Sequence, residues 1–545
     1  MTTTPTVPLH REAGPFAAGV SACLIVRNEE ELLPECLASL RPWVEQICVL
    51  DTGSTDRTVA IAQSFGATVA HAPWQDDFAA ARNASLALAR HDWILVLDAD
   101  ETLDSATGPA LRAVVQDGTA QAFVVMQEAV LSDGSVRSQP VVRLFRNRPE
   151  IYFSRPVHED VMDSLFALGL RSAANSGVRI LNRGHSPERV KARDRAGRNL
   201  ALLRRRVQEA PEDLYSTWKL AVSLDQPEQA TERHQALHAA CALADRLPAQ
   251  QRQDHPYLPL LYAGLGQCLC QRGELGEAIR TVERGMALFP DNLVLVFHRG
   301  DLLRRIGETE AAARCLRQCL GASPRPGAAG ADAVVPGVLP AIGLGLLALE
   351  AGNLDAATSM AGLALRFDPN HIEARCLRVR TLVAGQQFQE AMAELDRLVA
   401  TSPTAPAVQL LGGELAWLQG DRELAVDLWR KALGPTDTGN DARAQLAIGE
   451  LVSGSRAAAL LHLTDLAARD VPTAACRLIL ELMGRGRVHL DAAFRPEAVL
   501  RHVRFWLREI AAAGRRDVLQ SLAQAAPAAE AALPGICSLL RENGV

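Results

Sequence analysis

Five short segments in the first third of the chain gather side chains that can bind an anion or move a proton. They are RNEE (27–30), LDTGSTDRT (50–58), ARN (81–83), LDADE (97–101) and RPVHED (155–160). Asp98 and Asp100 are two residues apart, so in an extended segment both carboxylates project to one side. A hard divalent cation binds such oxygens, with a diphosphate supplying others, and neutralises charge on a departing nucleoside diphosphate. Arg82 offers a planar fork of donors suited to that diphosphate, and Asn83 beside it would orient the loop or the ligand. Asp51 ends an apolar run, where its carboxylate could accept a hydrogen bond from a nucleotide base. It could equally cap the following helix, as could Thr55 or Asp56.

These segments need a scaffold, and the apolar pattern supplies one. Ser21–Val26, Gln46–Leu50, Ala67–Ala70 and Trp93–Leu97 read as strands. Helices are expected over Glu29–Leu40, from Ser54 or Thr55 to Phe65, and over Phe78–Ala89. Such alternation predicts a mostly parallel sheet flanked by helices, and Gln121–Glu128 and Val136–Phe145 add strands to make it mixed. RNEE, LDTGSTDRT and LDADE fall at the C-terminal ends of strands, and ARN lies early in the helix before the fourth. Open α/β sheets place their ligands at those ends.

In wording and order, RNEE…DTGSTDRT…RNASL…DADE resembles the family 2 glycosyltransferases of the nucleotide-diphospho-sugar fold called GT-A. The likeness covers about residues 20–190. It is closest to a bacterial subgroup that includes lipopolysaccharide-core transferases and sublancin-type peptide S-glycosyltransferases. The resemblance implies a nucleotide-sugar donor, a UDP-sugar by preference, and a divalent cation, Mn2+ or Mg2+. It implies donor contacts from Arg27, Asn28, Glu29, Asp51, Ser54, Arg82, Asn83 and Asp98, and metal ligation by Asp98, Asp100 and His185. RPVHED resembles the subgroup's acceptor-side segment. Inverting transfer needs one base for the acceptor proton; Glu159 is the expected base, with His158 as neighbour or alternative and Asp160 less favoured.

The second half has another grammar. Gly273, Gly307, Gly352 and Gly420 are each followed five residues later by an alanine, namely Ala278, Ala312, Ala357 and Ala425. Pro290 to Pro324 and Pro369 to Pro403 are both 34-residue steps. That period resembles tetratricopeptide repeats, whose paired helices stack into a superhelix. The organisation expected is a disordered tail over 1–19, an α/β GT-A domain over 20–185 and a helical bridge over 186–255. An all-α repeat array over 256–437 and a helical cap over 438–545 follow. In the bridge, Arg189, Lys191, Arg193, Arg195, Arg198 and Arg204–Arg206 either face phosphate or form a solvated helix surface.

With 48% hydrophobic and 22% charged residues and a formal charge of −6, the 545-residue chain reads as an ordinary globular protein. It lacks the basic excess of a nucleic-acid binder. The first twenty residues carry no apolar signal core, and no transmembrane segment is expected. The eleven cysteines include no CxxC pair, which fits reduced, buried thiols and a cytoplasmic location. The function expected is transfer of a sugar to a protein or peptide acceptor recruited by the repeats, in a monomer or homo-oligomer. The alternatives are a transferase acting on lipopolysaccharide or another glycan, with repeats for assembly, and a non-catalytic repeat scaffold.

Overall fold

A computed structural model describes residues 16–116, 119–130, 136–170, 173–182, 195–252, 255–322, 337–434, 436–484 and 488–542. The chain divides into two compact units, Met1–Asp225 with Ala242–His255, and Gln226–Cys241 with Pro256–Val545.

In the first unit β1 (Ala17–Val26), α1 (Leu33–Leu40), β2 (Gln46–Asp51), α2 (Thr58–Ser64), β3 (Thr68–His71), α3 (Phe78–Leu86) and β4 (His91–Val96) alternate as expected. They are followed by β5 (Glu101–Leu103), α4 (Gly108–Val114), β6 (Ala122–Val130), β7 (Val136–Arg146), α5 (Met162–Ala167) and β8 (Ala174–Asn182). Among the described residues the strands form one mixed sheet in the order β3-β2-β1-β4-β7-β6-β8-β5. β1 lies parallel between β2 and β4, and β7 joins β4 antiparallel. Chain order reverses at β1, so a crevice opens beyond the C-terminal ends of β1, β2 and β4.

The strand pattern follows from burial on both faces. Ala22, Leu24, Trp93 and Leu95 pack into a core with Leu33, Leu37 and Leu40 of α1. Their neighbours Cys23, Ile94 and Val96 join a second core with Leu86 of α3 and Phe145 of β7. Period-two alternation delivers successive side chains to opposite faces, so a strand covered on both sides must be apolar throughout.

Two helices start later than the sequence predicts, for one reason. α1 begins at Leu33 and α2 at Thr58, because the preceding turns bind each other. Asn28 N donates to Ser54 Oγ at 2.9 Å, and Thr55 N donates to Asn28 Oδ1 at 2.7 Å. Glu29 N donates to Thr58 Oγ1 at 2.7 Å and Glu30 N to Asp56 Oδ2 at 3.2 Å. Polar groups that could cap or extend a helix instead zip the two turns into one rim.

The second unit stacks helix pairs: Leu258–Gln271 with Leu275–Leu288, Leu293–Arg305 with Thr309–Leu320, and Val338–Glu350 with Leu354–Phe367. Ile372–Ala384 with Phe388–Thr401, Pro406–Leu418 with Arg422–Lys431, and Asp437–Ser453 with Arg456–Leu461 continue the stack. Gly273, Gly307, Gly352, Gly420 and Gly454 turn the pairs at φ values from 71° to 100°, a region glycine enters without steric cost. The alanines five residues on, including Ala459, are all 0% exposed, so any larger side chain would collide. The pattern thus runs one pair past residue 437.

The C-terminal helices Val471–Gly484, Pro496–Ala512, Arg516–Ala525 and Ile536–Glu542 do not extend this stack in line. The segment around them returns to its first pairs. Arg469 Nε donates to Gln271 O at 2.7 Å, Gly276 N to Asp491 Oδ2 at 3.2 Å and Arg495 N to Ile306 O at 2.9 Å. Among the described residues no helix is long and apolar enough to cross a membrane.

Candidate active site

A cleft of about 1060 Å³ opens at the C-terminal edge of the parallel strands. Arg27, Asn28 and Glu29 line it from the turn after β1, and Asp98 and Asp100 from the turn after β4. Arg82 enters from α3, and His158 and Glu159 from the segment before α5. Arg82 and Glu159, 77 residues apart in sequence, meet here.

Arg82 organises the centre. Its Nη2 donates to Asp98 Oδ1 and its Nε to Glu159 Oε1, each at 2.7 Å. Arg143 of β7, which no sequence motif singled out, donates from Nη2 to Asp98 Oδ2 at 3.2 Å. The Arg82 side chain is 5% exposed, Glu159 12%, Arg143 15% and Asp98 34%, so Asp98 is the member most open to a ligand. Burial pushes the Asp98 carboxyl up, but the Arg82 and Arg143 charges outweigh it and hold it well below the usual carboxylate range. Burial likewise opposes the Arg82 charge, and Asp98 and Glu159 more than restore it.

Behind this turn sits Glu101, fully buried. Its Oε2 accepts from Asp98 N at 2.8 Å, and its Oε1 accepts from Gln127 Nε2. Burial, then the Asp98 charge, raises its pKa.

The loop that carries His158 and Glu159 is held in place from both sides. Asn83 Nδ2 donates to Phe153 O and Phe153 N donates back to Asn83 Oδ1, both at 2.9 Å. Asn83 thus orients this loop and is not among the residues that line the cleft. Phe78 N donates to Pro156 O at 2.9 Å, and Arg155 Nη2 reaches Asp163 Oδ1 at 2.7 Å. Arg155 and His158 have φ values of 74° and 54°, strain that persists only where surrounding contacts enforce it. Glu159 Oε2 makes no hydrogen bond among the described residues. Burial and then Lys219 depress the His158 pKa, favouring neutral imidazole. Burial raises the Asp160 pKa, and its Oδ1 accepts from Met162 N at 2.8 Å.

Asp51 and Ser54 sit at the rim but are not among the cleft-lining residues. The Asp51 carboxylate accepts from Ser54 N at 3.1 Å, from Gly53 N at 3.3 Å and lies 3.1 Å from His71 Nδ1. It holds the 52–54 turn, which brings Thr52 to the cleft, and does not cap α2.

The far wall lies beyond the last sheet strand. Helices α6 (Arg195–Glu209) and α7 (Leu214–Ser223) contribute Arg198, Asn199, Tyr215 and Lys219. Arg198 stacks over the Phe78 ring at 5.1 Å and Arg155 over Tyr215 at 4.1 Å. Of the basic run in the expected bridge, Arg198 thus faces the cleft. Arg205 instead pairs with Glu209 at an exposed site, and Arg189, Lys191 and Arg193 lie outside the described residues.

The metal expectation meets a specific geometry. Both Asp98 oxygens take guanidinium donors, and Asp100, 8% exposed, lines the cleft beside it. No group of three or more His, Cys, Asp or Glu side chains forms a cation cage among the described residues, and His185 lies outside them. Asp98 and Asp100 both line the cleft, a donor set that fits a cation whose shell is completed by the oxygens of a bound diphosphate.

Residues 21–177 match the family described as Glycosyl transferase family 2, and residues 348–415 match Tetratricopeptide repeat. The first unit thus carries a Glycosyl transferase family 2 domain, and the second carries tetratricopeptide repeats. A TPR repeat-containing protein of Synechococcus elongatus is 46% identical over 212 residues, 38% of this chain and 52% of that protein. The SPbeta prophage-derived glycosyltransferase SunS of Bacillus subtilis is 26% identical over 198 residues, 36% of this chain and 46% of its own. The chain spans about half the length of these curated relatives. A tetratricopeptide repeat protein from Parabacteroides merdae, 16% identical, aligns over 46% of this chain and 91% of its own with a TM-score of 0.32.

Proposed function

We propose that the protein moves a sugar from a nucleotide-sugar donor, a UDP-sugar, to a protein or peptide acceptor, inverting the anomeric carbon. The acceptor is recruited through the helical repeats, and the reaction takes place in the cytoplasm. One observation carries this reading: Arg82 contacts both the metal-motif residue Asp98 and the base candidate Glu159 in a single cleft.

In this scheme the donor lies against the joined rim of residues 27–29 and 52–54, with its diphosphate toward Asp98, Asp100 and Arg82. A Mn2+ or Mg2+ ion held by Asp98, Asp100 and His185 would offset the diphosphate charge. Glu159 Oε2 takes the acceptor proton. The acceptor atom then bonds to the anomeric carbon from the face opposite the leaving group, and the carbon–phosphate-oxygen bond breaks with its electron pair leaving on the nucleoside diphosphate. Asn83 and Arg155 keep the Glu159 loop in register.

The test is a panel of sugar nucleotides incubated with the full chain with and without Mn2+. Release of nucleoside diphosphate from one of them, lost on Glu159→Gln, is expected. Release from none, in the presence of acceptor-containing lysate, would overturn the reading.

A further inference from the structure

Asp98 is gripped from two sides, and each grip leaves the same loose end. Arg82 and Arg143 both use Nη2 on Asp98, and each leaves Nη1 buried without a hydrogen-bond partner. Buried donors are nearly always satisfied, and an exception calls for an absent ion, water or ligand. Here two such donors belong to residues that line one cleft, beside Asp100.

The local charge points to the kind of ligand. Asp98 is shared between the two guanidinium groups, and Glu159 pairs with Arg82 at 2.7 Å. Asp98 is the only ion-pair partner of Arg143 among the described residues. Two guanidinium groups thus meet on one carboxylate at this edge of the cleft.

We propose that Arg143 binds the diphosphate of the donor together with Arg82, and that Asp98 serves to aim the two guanidinium groups. This rests on the glycosyltransferase reading and adds a residue and a role to it. Each Nη1 donates to a phosphate oxygen, a planar fork-to-anion geometry that an ammonium cannot reproduce. As the anomeric carbon–oxygen bond breaks, the electron pair moves onto the phosphate. Two fixed guanidinium groups then stabilise the developing charge without reorganising.

The experiment uses the full chain and calorimetry. The probe is whichever of UDP, GDP and ADP the wild type binds most tightly, alongside the matching nucleoside. Arg143→Gln should weaken the diphosphate about 10- to 100-fold, as for a lost hydrogen bond to a charged group, and leave the nucleoside within about twofold. Arg143→Lys, which keeps the charge but not the fork, should fall between and serves as the deciding variant should Arg143→Gln fail to fold. Unchanged diphosphate affinity in the variants overturns the proposal, as does an equal loss for nucleoside and diphosphate. A wild type that binds none of the three nucleotides overturns the glycosyltransferase reading itself, and this inference with it.

Discussion

Asp98 and Glu159, 61 residues apart in sequence, are joined by one guanidinium: Arg82 reaches Asp98 Oδ1 and Glu159 Oε1 at 2.7 Å each. The donor-side turn and the acceptor-side loop are thereby set relative to each other by a 5%-exposed side chain. In the proposed inverting transfer, groups acting on opposite faces of one anomeric carbon would need that registration.

Removing Asp98 should disturb more than donor binding. Asp98→Ala leaves the Nη2 donors of Arg82 and Arg143 without their acceptor, a loss of about 1–3 kcal/mol for buried donors. Thermal unfolding of the first unit should shift down measurably. Asp100→Asn, which keeps both arginine contacts to Asp98, should cost less stability while raising the Mn2+ concentration for half-maximal activity. Equal metal dependence in both variants would put the cation on the Asp98–Asp100 pair.

The proton-transfer role separates from donor binding. Glu159→Gln should lower transfer about 100- to 10,000-fold, the usual range for a general base. Nucleoside diphosphate affinity should change little, since the base acts on the acceptor. Parallel turnover and calorimetry on the same preparation would decide it. A matching loss in both would make Glu159 a structural partner of Arg82 only.

Much of this was legible before the structure, and the gaps have physical causes. The parallel strands announced themselves because burial on both faces demands unbroken apolar runs, as in Ser21–Val26. β5 and β8 escaped, since β5 is three residues long and β8 reads ANSGVRILN, where alternate residues are exposed. The repeat turns were visible through their glycines. The one pair without that signal turns at Gln386, with φ at 60°, so the geometry survived where the sequence cue did not. At the site, Asp98 could be named because its motif follows a strand end, and Arg82 and Glu159 because ARN and RPVHED carry the family resemblance. Arg143 could not, being one of two arginines in the strand run VVRLFR, where only register shows which one meets Asp98. Asn83 and Asp51 were named as donor contacts, and the structure adds that they hold the 153–159 loop and the 52–54 turn. That depends on hydrogen-bond partners that spacing does not reveal.

His158 offers a pH-dependent signature. Burial and Lys219 lower its pKa below the ordinary value near 6.5. The unfolded chain therefore binds the proton more readily, and stability falls as pH drops from about 6.5 through the lowered folded value. His158→Asn, which tolerates the positive φ, should flatten that slope between pH 7.5 and 5.5. Unfolding midpoints at both pH values, with wild type in parallel, measure it; identical slopes would show that His158 is not the group responsible.

The last prediction concerns where the acceptor meets the repeats. The return of the C-terminal segment to Gln271, Gly276 and Ile306 covers the turn ends of the first two pairs. A groove of about 570 Å³ stays open between helices Thr309–Leu320, Val338–Glu350 and Leu354–Phe367. Leu344, Leu347 and Met360 give it an apolar floor, and Arg314 and Arg317, which make no ion pair among the described residues, stand at its side. An acceptor chain with an acidic flank and an apolar anchor suits that lining. Arg314→Glu with Arg317→Glu should raise the apparent KM for the acceptor about tenfold or more. Donor hydrolysis without acceptor, and kcat at saturation, should be unchanged, because tethering raises local acceptor concentration and leaves the chemistry alone. Acceptor titrations at two ionic strengths give the answer, since the wild-type advantage should shrink as salt screens the arginines. Acceptor kinetics indifferent to both the substitution and the salt would remove this groove from recruitment.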